Sequence, residues 1–142
     1  IGRALYREGI DIFANAGNPE VNFGYYLHIE PGNCHAGAGL FQPSKEVRMH
    51  LLSRLMDDPK GLKNVLGDPE FKKVFPDGLI TRKSLSNVPD DFKTDNFVSN
   101  YLKMVGFGCR KDLPDALLLD DQVIYFLTET FRTASPLVRY FE

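Results

Sequence analysis

Residues 24–41 of the chain predict a β-hairpin, with the sequence GYYLHIEPGNCHAGAGLF. Residues 30–33 have the composition of a tight turn, because proline fixes φ at the second turn position and glycine accepts a positive φ at the third. Side chains alternate between the two faces of a strand, so one face of the first strand carries Tyr26, His28 and Glu30. The apolar side chains on its other face, which is predicted to face the core, are Tyr25, Leu27 and Ile29.

Two registers of this hairpin fit the sequence, and they place His35 on opposite faces. A two-residue loop pairs His28 with His35, so that both imidazoles lie on the polar face. A three-residue loop with a bulge at Asn33 places His35 opposite Ile29, because a shift of one residue exchanges the faces of a strand. We favour the three-residue loop, since a Pro-Gly turn of type I or II splays the strands of a two-residue hairpin. His35 is therefore predicted to pack on the apolar side.

The polar face of the hairpin carries the candidate chemistry. His28 with Glu30 as its orienting carboxylate is a reasonable general acid–base pair, since histidine titrates near neutral pH. A metal site is not favoured, because these two residues supply only two of the three or four ligands that such a site needs. A partly buried histidine with a purely structural role is the simplest interpretation. No cofactor is predicted, since Gly37 and Gly39 lack the third glycine of a dinucleotide-binding loop. These glycines weaken the strand unless another backbone or a ligand approaches closely.

The rest of the chain predicts helices and one late strand. Ser44 precedes an apolar stripe with helical spacing, and Asp58-Pro and Asp68-Pro each have the form of a helix N-cap followed by proline. Residues 103–110 predict a strand, and residues 121–134 predict a helix that Pro136 ends or offsets. An early antiparallel hairpin or sheet, a mostly helical second half and one late strand together favour the α+β class.

Composition excludes several classes of function. A length of 142 residues suits one domain, and a net charge of −2 without basic clusters argues against nucleic-acid binding. No apolar stretch approaches the ~18 residues of a membrane span, and the first residues lack the apolar core of a secretory signal. Cys34 and Cys109 form no C-x-x-C pattern and are expected to be reduced and buried. These features favour a cytoplasmic protein.

An ordered set of short motifs carries a family resemblance over residues 22–142. The motifs are GYYLHIEPGNCHAGAGLFQP, DPEFKKVF, VPDDF, YLKMVGF, LPDALLL and SPLVRYF. Together they resemble the conserved hypothetical family called domain of unknown function 2461. The resemblance implies a soluble α+β protein, found mostly in bacteria and fungi, with no established activity. Members commonly have an aromatic residue such as phenylalanine where this chain has His35.

The chain departs from the family pattern near its start. Members carry a signature of the form R-x-x-R-D-x-R-F, followed by an Asp/Asn-Lys pair and a tyrosine, and only Arg7 and Glu8 match its Arg-Asp pair here. Members also have a helical N-terminal region, which this chain is expected to lack. We therefore expect a single domain over residues 1–142, lacking that helical part and an internal segment near residues 8–9. The missing element is the one expected to bind an anion.

These observations leave three functional hypotheses. The leading one is a small anionic-ligand-binding domain of uncharacterised function, with Arg7, Tyr26 and Asn33 as the ligand-binding residues. The second is an enzyme in which His28 acts as acid or base on a substrate that bears a phosphate or carboxylate. The third is a protein-interaction module that uses its helical half. Oligomeric state and partners are left open.

Overall fold

The computed structural model describes residues 9–15, 21–87 and 97–142. Within them four strands form one antiparallel sheet in the order β1-β2-β3-β4, namely β1 (Ile10–Asn15), β2 (Gly24–Ile29), β3 (Cys34–Leu40) and β4 (Phe107–Leu113). The α-helices are α1 (Lys45–Asp57), α2 (Pro59–Gly67), α3 (Pro69–Val74) and α4 (Val123–Phe141). Short 3₁₀ helices span Phe97–Asn100 and Asp115–Leu119.

The α+β class is confirmed, with three early strands, a helical region and one late strand. The late strand begins four residues after the start predicted for it. Residues 103–106 instead follow the 3₁₀ helix in a turn, in which the Met104 amide donates to the Tyr101 carbonyl at 3.1 Å. The strand then extends to Leu113, which pairs with Cys34 at the start of β3.

The predicted helix N-caps are confirmed. The Ser44 hydroxyl accepts a hydrogen bond from the Val47 amide at 3.2 Å, which satisfies one of the free donors of the first turn of α1. Asp58 caps α2 through the Gly61 amide at 2.9 Å, and Asp68 caps α3 through the Phe71 amide at 3.2 Å. Proline follows each aspartate at the first helical position, where its missing N–H costs nothing.

The prediction that Pro136 ends the last helix is wrong, because α4 continues through it to Phe141. A proline inside a helix leaves a carbonyl one turn earlier without its usual donor. Here that carbonyl belongs to Arg132, and the hydroxyl of Ser135 donates to it at 2.8 Å. The serine before the proline therefore supplies the hydrogen bond that the proline cannot make.

The preferred register of the β2–β3 hairpin is also wrong. His28 pairs with His35, so the loop has two residues and both imidazoles lie on the same face. The turn is closed by the Asn33 amide, which donates to the Glu30 carbonyl at 2.8 Å, and Gly32 has a φ of +78°. Contacts from outside the hairpin hold this turn, since the Gly32 amide donates to both carboxylate oxygens of Asp115 at 2.9 and 3.1 Å.

The core lies between one face of the sheet and the helices. That face, called the helix face here, carries Ala36, Ala38 and Cys109, each fully buried, while α4 contributes Phe131, whose ring centre lies 5.4 Å from that of Tyr25. The two cysteines of the chain, Cys34 and Cys109, are free and buried, as predicted. The opposite face, called the open face here, carries the polar residues and positions the candidate site.

Gly37 is required by the close approach of β3 and β4. A Cβ atom added at this position would meet the backbone carbonyl of Cys109. We expect Gly37→Ala to lower the free energy of unfolding by about 1–3 kcal/mol, as overpacking of a rigid site does. Urea unfolding followed by circular dichroism measures this loss.

Gly67→Ala is the matched control, because nothing lies within 4 Å of a Cβ added there, at the end of α2. This control should be neutral or raise stability by up to about 1 kcal/mol, since alanine is the better helix former. Equal stability of the two variants would contradict the steric role of Gly37.

Candidate functional site

A row of four titratable side chains crosses the open face of the sheet. The strand register aligns Asp11 with His28, His28 with His35 and His35 with Asp112, one residue on each of the four strands. Residues that pair directly across antiparallel strands have side chains on the same face, close enough to interact. The two-residue hairpin loop therefore brings together a cluster that the favoured three-residue loop would have divided.

His28 lies between two carboxylates. Its Nδ1 lies 2.6 Å from Oδ1 of Asp11, and its Nε2 lies 3.1 Å from Oε1 of Glu30. Burial lowers the pKa of His28, but the hydrogen bonds and charges of Asp11 and Glu30 outweigh it, so the net pKa is raised. The hydrogen bond from His28, followed by the one from Asn33, lowers the pKa of Glu30. In the imidazolium form both ring N–H groups donate to carboxylates.

His35 has the opposite electrostatic character. It is 5% exposed, and its ring stacks on that of His28 with centres 4.8 Å apart. Burial, then the positive charges of Arg110 and His28, lower the pKa of His35 to about 4. Its Nδ1 is buried and has no hydrogen-bond partner among the residues that the structure describes. A neutral imidazole therefore lies against a readily protonated one.

Tyr26 is fixed by a hydrogen bond that crosses β3. Its hydroxyl donates to the carbonyl of Cys109 on β4 at 3.0 Å, over the position where Gly37 has no side chain. Burial, and next the neighbouring Cys109, raise the pKa of Tyr26, so the phenol stays protonated. The hydroxyl of Tyr26 is therefore engaged within the sheet, and its predicted ligand-binding role stays a prediction that concerns its ring.

The other two predicted ligand-binding residues have different positions. Asn33 lies at the hairpin turn, where its amide nitrogen donates to Glu30 at 3.3 Å and its carbonyl oxygen accepts from Arg110 at 2.9 Å. Arg110 also donates to Asp112 at 2.7 Å, so these side chains brace the end of the hairpin. Arg7, the third predicted ligand-binding residue, lies outside the residues that the structure describes.

A groove of about 190 Å³ lies on the open face beside the histidine pair. Its lining includes the rings of Phe13, Tyr26 and Phe41 and the charged side chains of Asp11 and Arg82. The Arg82 guanidinium carbon lies 4.7 Å from the centre of the Phe41 ring, and the rings of Tyr26 and Phe41 meet edge to face at 5.9 Å. The groove, with the rings and charged side chains that line it, is called the aromatic groove.

Three glycines make room for the aromatic groove. Gly24, Gly39 and Gly108 pair with one another on three neighbouring strands. A Cβ at Gly24 would lie 3.0 Å from the Phe13 ring, and a Cβ at Gly39 would lie 3.2 Å from the Phe41 ring. Glycines within a strand predict that another backbone or a ligand approaches it closely. In β3 the neighbouring backbone and the aromatic rings make this close approach.

Sequence reasoning missed several of these side chains. Asp11 had a detectable signal, because it alternates with Ile10 and Ile12 in the first strand and so belongs to the polar face. Arg82 had none, since it follows a turn-rich segment and reaches the groove only through the tertiary fold. His35 was assigned to the wrong face with the wrong hairpin register.

Within the described residues, no group of three or more His, Cys, Asp or Glu side chains is arranged to hold a metal ion. None of the helices in the described ranges combines the length and apolar character that a membrane-spanning segment requires. Comparison with protein families matches residues 3–140 to a family model described as a conserved hypothetical protein, DUF2461. No curated protein and no solved structure matches the chain.

Proposed function

Because the chain belongs to the DUF2461 family, a conserved hypothetical family of unknown function, we propose its function from the site itself. The protein binds a small ligand that carries a carboxylate or phosphate group on a flat apolar body. The observation that carries this proposal is the aromatic groove with the guanidinium of Arg82 at its side.

Arg82 is the natural anion partner in this groove. Its guanidinium stacks on Phe41 and forms no salt bridge with any residue in the described ranges. An arginine held against an aromatic ring keeps its edge donors available for a carboxylate or phosphate, which it binds in a bidentate fashion. When protonated, His28 forms an ion pair with Asp11, which reduces the repulsion between that carboxylate and an anion held by Arg82.

The size and lining of the groove define the rest of the ligand. Its volume of about 190 Å³ corresponds to roughly six water molecules at about 30 Å³ each. Drug-sized sites are larger, about 300–1,000 Å³. The rings of Phe13, Tyr26 and Phe41 offer flat apolar contact, which suits an aromatic or unsaturated body with one charged group.

The enzyme alternative has less support from the geometry. Both ring nitrogens of His28 face carboxylates, so acid–base work on a substrate would require one of these hydrogen bonds to break. The groove is lined by Asp11 and Tyr26, whereas His28 and Glu30 are not part of its lining. Binding without a chemical step is therefore the function that we propose.

We also place this function in the cytoplasm. Cys34 and Cys109 are both free thiols, and free thiols persist where glutathione and thioredoxin keep them reduced. Both thiols are buried on the helix face, away from the aromatic groove.

Titration with benzoate, followed by two-dimensional NMR, tests the proposal. We expect saturable shifts of the Phe13, Tyr26 and Phe41 signals in the wild-type protein. Arg82→Gln should weaken the affinity about 10-fold or more, because a charge-assisted hydrogen bond contributes about 1.5–3 kcal/mol.

Lys83→Gln is the matched control, since it removes the same charge from the next residue, which is exposed. Benzamide, which has the shape of benzoate without its charge, is the control ligand. The proposal is overturned if benzoate gives no saturable shifts, or if both variants bind it as the wild type does.

A further inference from the structure

The two edges of the sheet differ in how they are protected against pairing with another strand. At the β4 edge three consecutive charged residues, Arg110, Lys111 and Asp112, interrupt any apolar surface. The backbone of Ile80 also covers part of this edge, through hydrogen bonds of 2.7 and 3.0 Å with Gly108. Charges and a covering segment are the usual devices that prevent edge-to-edge association.

The β1 edge has none of these devices in the described part of the chain. Its one charged residue, Asp11, is already engaged by His28, and the strand contains neither lysine nor proline. Six consecutive pairs with β2 leave it without a bulge, and no described strand lies beyond it. An unbulged edge of this kind presents unpaired backbone N–H and C=O groups to a partner strand.

Apolar side chains are exposed on both faces of β1. Ile10 and Ile12, on the helix face, are 53% and 52% exposed, and Phe13, on the open face, is 46% exposed. Their exposure follows from their position on the outermost strand, where no described side chain covers them. A further strand would cover all three at once.

We propose that β1 pairs with β1 of a second copy of this chain, antiparallel, about a two-fold axis at Ile12. This register sets Ile12 against Ile12 of the partner subunit and Ile10 against Ala14 of the partner subunit, so the helix face of the ladder is apolar throughout. A register centred on Asp11 would oppose two carboxylates, which is destabilising. A register centred on Phe13 would leave Ile10 without a described partner. The strand is thus self-complementary in the way that a two-fold interface requires.

Pairing through β1 also affects the aromatic groove. This part of the inference rests on the proposed function. Asp11 and Phe13 both line the groove and both belong to β1. In the proposed register, Phe13 of the partner subunit lies opposite Asp11 on the open face. Each copy therefore adds an aromatic ring next to the groove of the other.

Disulfide trapping tests the register. Ile12→Cys introduces a thiol opposite its own copy and should form a disulfide-linked dimer under mild oxidation, with twice the 16.1 kDa mass of the chain. Ala14→Cys is the matched control, because it lies on the same strand face but pairs with position 10. The two introduced thiols are then separated by four residues of strand, about 13 Å, beyond the reach of a disulfide. Cys34 and Cys109 are buried and do not compete.

Light scattering of the full chain, without cross-linking, tests the interface. We expect a dimer for the wild type, a monomer for Ile12→Lys, and a dimer for Leu119→Lys, which adds the same charge at a residue 91% exposed outside the sheet. Far-ultraviolet circular dichroism shows whether each variant folds, and if Ile12→Lys does not, the trapping result decides. A monomeric wild type, or equal trapping at positions 12 and 14, overturns the proposal, whether or not benzoate binds.

Discussion

Replacing Phe141 with alanine is expected to lower the free energy of unfolding by about 3–5 kcal/mol, the usual cost of removing a buried phenylalanine. Phe141 is fully buried at the end of α4. Its ring centre lies 4.9 Å from those of Phe23 and Tyr140 and 5.5 Å from that of Phe107, so it links the last helix to the sheet. Alanine would leave a cavity bounded by rings that cannot collapse without losing contacts with one another.

Phe126→Ala, on the same helix, is the matched control for this prediction. Phe126 is 46% exposed, and its removal should cost less than about 1 kcal/mol, as is typical of surface substitutions. Urea unfolding followed by fluorescence and by circular dichroism measures both losses. If the two variants were equally stable, the aromatic cluster around Phe141 would not be the packing centre that the structure indicates.

Local chemistry explains why the helices of this fold could be predicted from sequence. Ser44, Asp58 and Asp68 cap their helices with their own side chains, so the start of each helix depends on residues that are adjacent in the chain. Pro136 shows where this reasoning fails. Whether a proline ends a helix depends on whether a neighbour donates a hydrogen bond to the carbonyl one turn earlier. Ser135 donates this bond to Arg132.

The hairpin illustrates a different limit. Its existence follows from alternation and from the Pro31-Gly32 turn, but its register is set by contacts from distant residues. The carboxylate of Asp115, more than eighty positions away, holds the Gly32 amide. Turn propensity alone favoured the longer loop, and this tertiary contact is what the local argument lacked.

The candidate site could be predicted only in part, because it too depends on contacts between distant residues. Asp11 and His28 lie on strands, and Glu30 directly follows the second of these, so alternation visible in the sequence predicts one face for all three. Arg82 reaches the aromatic groove from a segment without regular structure, and Phe41 covers glycines on two other strands. No periodic pattern links such positions, because only the assembled sheet brings them together.

His35 should make this protein less stable in acid. Its folded-state pKa of about 4 lies below the ordinary value of 6.5, so the unfolded chain binds a proton between these values and the folded protein does not. Stability linked to this group is therefore fully present above pH 6.5 and falls as the pH is lowered from 6.5 towards 4. His28 has the opposite sign, since its raised pKa makes its contribution fully present below pH 6.5 and lost as the pH rises through that pKa.

His35→Phe should therefore be more stable than the wild type at pH 4.5 by about 2–3 kcal/mol beyond any difference at pH 7.5. Phenylalanine keeps a ring against His28 and removes the buried Nδ1, which has no partner in the described part of the chain, so a gain at pH 7.5 is also expected. His35→Gln is the control that separates the two effects, because it abolishes the titration but keeps a buried polar group. His35→Gln should therefore gain stability relative to the wild type at pH 4.5 but not at pH 7.5. Urea midpoints at the two pH values measure these differences, and equal acid sensitivity of the wild type and both variants would show that protons bind elsewhere.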